Sequence, residues 1–150
     1  MLLRERVEEG LFEKCLELLR RGSIAGKLDA LLFIQDVISS ENQENREFLE
    51  TNAGVLLCVL QIVLSNLLSK PSSKVPIKFL LYFLDLVHKL VTIKSFLKGV
   101  SEENLQDLFE TLIQKVLVQT DQSRFESKDN VSIIKIMNSI ILRLLENSDP

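Results

Sequence analysis

Between Ala53 and Ser69 the chain reads AGVLLCVLQIVLSNLLS, a run without a charged side chain and with polar ones only at Gln61, Ser65, Asn66 and Ser69. A helix that is apolar nearly all round has to be enclosed nearly all round, so this segment is expected at the middle of the molecule. Its length approaches that of a membrane span. The next apolar run, residues 77–91, argues against lipid because it carries Lys78, Asp85, His88 and Lys89. A Lys or Asp costs roughly 2.5–3.5 kcal/mol at a bilayer centre. The inner helix of a helical stack is the better reading.

A chain of 150 residues is expected to form one domain, residues 1–150, burying about 70% of its unfolded surface without disulfides or metals as staples. Cys15 and Cys58 lie singly in apolar helical stretches, with no CxxC or Cys/His spacing. They are expected as buried, inert thiols in a reducing compartment. A net charge of −3 lacks the basic excess of a nucleic-acid binder. The opening MLLRERVEEG is charged where a signal peptide is apolar, which gives a cytoplasmic expectation.

The apolar period is helical throughout. The first helix is expected over residues 5–20, ended by Gly22, and the second over residues 24–39, capped by Ser23. The polar stretch SENQEN precedes a turn of helix at residues 46–50, and Ala53-Gly54 is the expected kink before the central run. KPSSKVP then forms a loop, because neither proline can continue a helix. In residues 77–91, Ile77, Leu80, Leu81, Leu84 and Val91 share one apolar stripe with His88, read as a packed core histidine; Phe79, Phe83, Leu86 and Leu90 form a second. A short turn closes at Gly99. Ser101 caps a more one-sided helix over residues 102–119, with Glu102 and Glu103 set against its positive end. After a polar loop at residues 120–130, the last helix spans residues 131–146 with two apolar stripes expected to be covered, Val131, Ile134, Leu142 and Leu145 on one and Ile133, Ile136, Met137, Ile140 and Leu144 on the other. Asn138 falls on the Ile134 and Leu142 face and is expected to be buried and hydrogen-bonded.

Turns at Gly22, Ser73 and Arg124 recur about fifty residues apart, near the period of HEAT and armadillo units, and each separates two helices. Helices with two apolar faces cannot bury themselves as isolated pairs. The expected fold is therefore all-α, a HEAT/armadillo-like α-solenoid of about three stacked helix pairs. The closing NSDP resembles the cap of a further helix, which makes the chain read as part of a longer array.

Nothing points to catalysis: no GxSxG, phosphate loop or HExxH occurs, and no metal, cofactor or small-molecule substrate is implied. Binding has a firmer basis. With successive helices antiparallel, the turns inside the three pairs share one edge, and its first two turns carry Arg20, Arg21, Lys27, Lys70, Lys74 and Lys78. The third is mixed, with Arg124 and Lys128 among acids, and the opposite edge begins with Glu41, Glu44 and Glu47. A basic rim on an acidic protein fits an acidic protein partner, raising the on-rate and fixing orientation. Solubilising side chains on loops are the competing explanation.

Two stretches, FEKCLELLRRGSIAGKLDALLFIQDVIS and VSEENLQDLFETLIQKVL followed by IIKIMNSIILRLLENSDP, resemble the C-terminal TOG-like HEAT domain of the ch-TOG and mini spindles family of microtubule polymerases. That resemblance implies a cytoplasmic, microtubule-associated module at the spindle or centrosome that binds protein through its intra-repeat turns, with no nucleic-acid or membrane partner. Its implied partners are αβ-tubulin, a γ-tubulin complex or a spindle adaptor. Tubulin-binding TOG domains usually present a tryptophan in the first such turn. Here the turn reads Arg21-Gly-Ser-Ile24 and the chain has no tryptophan, which favours the assembly factors over tubulin itself. NREFLETNAGVLLCVLQIVL also resembles two helices of an armadillo repeat, implying instead an adaptor that holds an extended peptide near Asn66.

Overall fold

The computed structural model describes residues 9–69, 77–117 and 127–147. Eight α-helices appear among them: α1 Glu9–Arg21, α2 Ile24–Ile38, α3 Gln43–Thr51, α4 Ala53–Ser69, α5 Ile77–Thr92, α6 Lys94–Lys98, α7 Glu102–Thr111 and α8 Ser127–Asn147. α7 continues into a π-helical segment, Leu112–Leu117, where a regular α-helix was expected. No strand occurs among the described residues, and the protein is all-α.

Short polar side chains set the helix starts. Ser23 Oγ accepts from the Gly26 N–H at 3.2 Å and Ser101 Oγ from the Asn104 N–H at 3.1 Å, each cap contributing about 1 kcal/mol. Asn42 Oδ1 caps α3 by accepting from the Glu44 N–H at 2.8 Å. Behind it, fully buried Asn45 donates through Nδ2 to the equally buried Ser40 Oγ at 3.0 Å, so the polar SENQEN stretch builds a tight corner. The break before α4 falls at Asn52, one residue earlier than the glycine pattern indicates. Asn52 Nδ2 donates to the Phe48 carbonyl at 2.9 Å, a local bond that competes with helix continuation, and α3 and α4 meet at 64°.

Packing orders the helices into two rows. α4 lies between α1 and α7, and α5 lies between α2 and α8. α1 against α2 and α7 against α8 join the rows at the two ends. α1 and α2 are antiparallel: the Leu18 side chain borders Gly26, and Cys15 Sγ meets the Ala30 carbonyl at 3.6 Å. α4 and α7 are parallel, because Gly54 borders Asn104 and, seven residues further along both helices, Gln61 Nε2 donates to Thr111 Oγ1 at 2.7 Å. In the other row, Lys89 Nζ donates to Gln35 Oε1 at 3.1 Å, close to the C-terminal ends of both α5 and α2. The Phe12 and Phe48 rings meet edge-on at 5.2 Å, which sets the start of α1 beside the α3–α4 corner. α3 and α6 pack on one another at that same edge.

The central run is buried as expected along most of its girth, with Leu56, Leu57, Leu60 and Leu64 all at 0% exposure. Enclosure is incomplete: Val55 and Ile62 are exposed, because α4 has row neighbours on two sides and one strip left to water. α5 buries most of the described residues of both predicted faces, including Leu80, Phe83, Leu84, Leu86, Leu90 and Val91, with Leu81 half-buried. His88 is only half-buried, on the margin between those faces rather than in the core. In α1 the buried line is Phe12, Cys15, Leu16 and Leu19, with Leu11 turned outward. α8 departs most from expectation. It starts at Ser127, not at residue 131, and buries Ile133, Met137, Ile140 and Leu144. Val131, Ile134, Leu142 and Leu145 are exposed, as is Asn138, since α5 and α7 cover only the other side of the helix.

Cys15 is buried and Cys58 half-buried. Burial pushes the Cys15 thiol from 9.0 to about 12. A thiol whose folded value is raised holds its proton more tightly in the native state, so its contribution is complete below pH 9 and is lost as pH rises from 9 towards 12. Chemical unfolding at stepped pH is expected to show stability falling over that window, and Cys15→Ala to flatten the fall. A neutral aryl disulfide reagent should titrate Cys58 rapidly and Cys15 only on unfolding.

Candidate functional site

The helix directions decide where the predicted basic residues lie. α5 runs alongside α2 in the same sense and α1 runs against it, so the end of α1, the start of α2 and the start of α5 share one edge. α3 and α6 occupy the other. Arg20 and Arg21 fall in the last turn of α1 and are exposed, and Lys78 is exposed in the first turn of α5. These three lie at the same end of the two rows. Lys70, Lys74 and Arg124 lie outside the described residues, and Lys128 is in the first turn of α8.

The members of the edge are not equivalent. Lys27 is half-buried and its Nζ donates to the Gly22 carbonyl, satisfying an acceptor just past the end of α1. It closes the turn and is committed within the protein. Arg20 and Arg21 have a local explanation too, since cations near a helix C-terminus oppose its negative end. Arg21 Nε also pairs with Glu17 at 3.3 Å, but with side chains 83% and 54% exposed that pair is weak and exchangeable. Lys78 is different. It places a positive charge at the positive end of α5, where the helix itself disfavours it.

The opposite edge is mixed. Glu41, Glu44 and Glu47 are exposed there, and so are Arg46, Lys94 and Lys98. An open cleft of about 190 Å³ lies there, lined by Ile38, Arg46, Leu49, Glu50, Ile93 and Ser95. Sequence reasoning missed it, because it is assembled from three helices and the signal was only an Arg46/Glu50 pair one turn apart on α3. It is smaller than most ligand pockets, which span roughly 300–1,000 Å³.

No group of three or more His, Cys, Asp or Glu converges among the described residues. No single described helix is long and apolar enough to cross a membrane, and α3 with α4 reaches that length only across the 64° bend. Comparison with known protein families, curated proteins and solved structures returns no match.

Proposed function

We propose that this chain is a non-catalytic, TOG-like module: a short HEAT-type α-solenoid of three stacked helix pairs whose intra-pair turns dock an acidic protein partner. The observation that carries the reading is the parallel register of α4 and α7, in which Gly54 faces Asn104 and Gln61 faces Thr111. Both pairs are fifty residues apart, the spacing at which the turns recur in the sequence. A repeat of that kind brings successive turns to one rim. Exposed Arg20, Arg21 and Lys78 then share that rim, the sequence adds Lys70 and Lys74 to the same basic stretch, and the positive end of α5 disfavours the Lys78 charge. With the sequence resemblance, the partner class is a component of microtubule assembly: αβ-tubulin, a γ-tubulin complex or a spindle adaptor, in the cytoplasm at microtubules, spindle or centrosome. The absence of tryptophan from the first turn favours the latter two.

A second reading rests on α4. Val55, Ile62 and Asn66 are exposed and lie on one helical face, as a groove for an extended peptide in an armadillo-type adaptor would require. One experiment separates the two. Gel filtration with αβ-tubulin and with γ-tubulin complex, at low and moderate salt, is expected to show co-elution with one of them that weakens with salt. Reversing charge at Lys70, Lys74 and Lys78 together is expected to abolish it while leaving the melting temperature unchanged. Binding that survives the reversal but is lost in Asn66→Ala would replace the edge by the α4 groove.

A further inference from the structure

The exposed stripe on α8 is symmetric about its centre. Ile134 and Leu142 stand four residues either side of Asn138, and Val131 and Leu145 stand seven either side. At 100° per residue all five fall on one face, on the side turned away from the buried Ile133, Met137, Ile140 and Leu144. Their exposures are 53% for Val131, 40% for Ile134, 59% for Leu142 and 55% for Leu145. Together they offer roughly 350 Å² of contiguous apolar surface, the size of the largest patch on an ordinary monomer and of a kind that marks an interaction site.

We infer that this stripe binds a second copy of the chain, α8 against α8 in antiparallel register about a two-fold axis at Asn138. A stripe that reads the same from either end of its helix is self-complementary when one copy is inverted, which is the requirement of a closed two-fold interface. Ile134 then meets its counterpart's Leu142, and Val131 meets the Leu145 of the second copy. Asn138 meets itself. An amide both donates and accepts, so two facing copies satisfy one another, and a polar residue inside an apolar seam fixes register and orientation. The area suits a modest dimer: full cover of the two stripes with Asn138 and flanking Lys135 and Ile141 removes at most about 1,000 Å² in total, the lower end of specific association. Micromolar dissociation is the expected range. A head-to-tail contact between the α8 face and the opposite end of another copy would use none of this symmetry and would not stop at two.

Sedimentation equilibrium of the 150-residue chain between about 1 and 200 μM should show the mass rise from 17.1 kDa to twice that and no further. Leu142→Glu changes an exposed position, so the melt should be unaltered while the dissociation constant rises by about tenfold or more. With Cys58→Ser removing the accessible native thiol, Asn138→Cys should form a disulfide-linked dimer under mild oxidation, whereas Glu110→Cys on the exposed face of α7 should not. A monomer throughout the concentration range, growth past the dimer, a dimer indifferent to Leu142→Glu, or equal cross-linking at the two cysteine positions would each overturn the inference.

Discussion

Leu60→Ala lowers the unfolding free energy by about 2–5 kcal/mol, the range for emptying a fully packed leucine site. Leu60 is at 0% exposure in the middle of α4, with Leu56, Leu57 and Leu64 equally enclosed around it. Because α4 packs on α1 and α7 at once, the surroundings cannot close on the void without shifting a whole row, which puts the expected loss in the upper half of that range. Ile62→Ala, two residues away on the strip left to water at 47% exposure, is expected to cost about 1 kcal/mol or less. Urea unfolding of the two variants beside the parent checks the pair. Equal losses would mean that α4 is enclosed on every side, as its composition alone implies.

The second large effect has the opposite chemical sense, since it adds an atom. A Cβ on Gly99 would stand 2.7 Å from the Glu50 carbonyl oxygen and 3.3 Å from the Ala53 Cβ. Gly99 has φ of −85° and ψ of 1°, a conformation open to any L-residue, so the glycine is there for close approach and not for backbone freedom. It lets the end of α6 sit directly on the α3–α4 corner. Gly99→Ala is therefore expected to destabilise by about 1–3 kcal/mol through overpacking. Gly10→Ala, in α1 with nothing within 4 Å of the added carbon, should stabilise by about 0.5–1 kcal/mol. Thermal melts of the two alanine variants should move in opposite directions.

What could be read in advance follows from what each signal encodes. Caps are local, and Ser23 and Ser101 stood where their side chains could reach an N–H within three residues. The central helix was legible because an uncharged run of that length admits few surroundings. Periodicity identifies an apolar face but carries no information on whether a neighbour exists to cover it. That is why Val131, Ile134, Leu142 and Leu145 read as a core stripe and proved exposed, and why Asn138 was placed inside. The π-helical segment Leu112–Leu117 was invisible for a related reason: LIQKVL suits a 3.6-residue turn as well as a wider one, and the choice is made in the packed protein, next to the Gln61–Thr111 bond. The basic edge was only partly legible. Its position follows from helix directions, but the sequence gives equal weight to Lys27, which closes its own turn, and to Lys78, which does not. The cleft beside Arg46 combines α2, α3 and the α5–α6 corner, and no single stretch announces it.

The docking edge rests on Arg21 and Lys78 lying at one end of the rows, and that is directly measurable. Spin labels on Arg21→Cys and Lys78→Cys, in a Cys58→Ser background, should give a distance of roughly 15–20 Å by pulsed electron resonance, against about 30 Å for Arg21→Cys with Ser95→Cys, given a 1.5 Å rise per helical residue and 8–10 Å between packed helices. The reverse order, with Arg21 nearer Ser95 than Lys78, would contradict the shared edge.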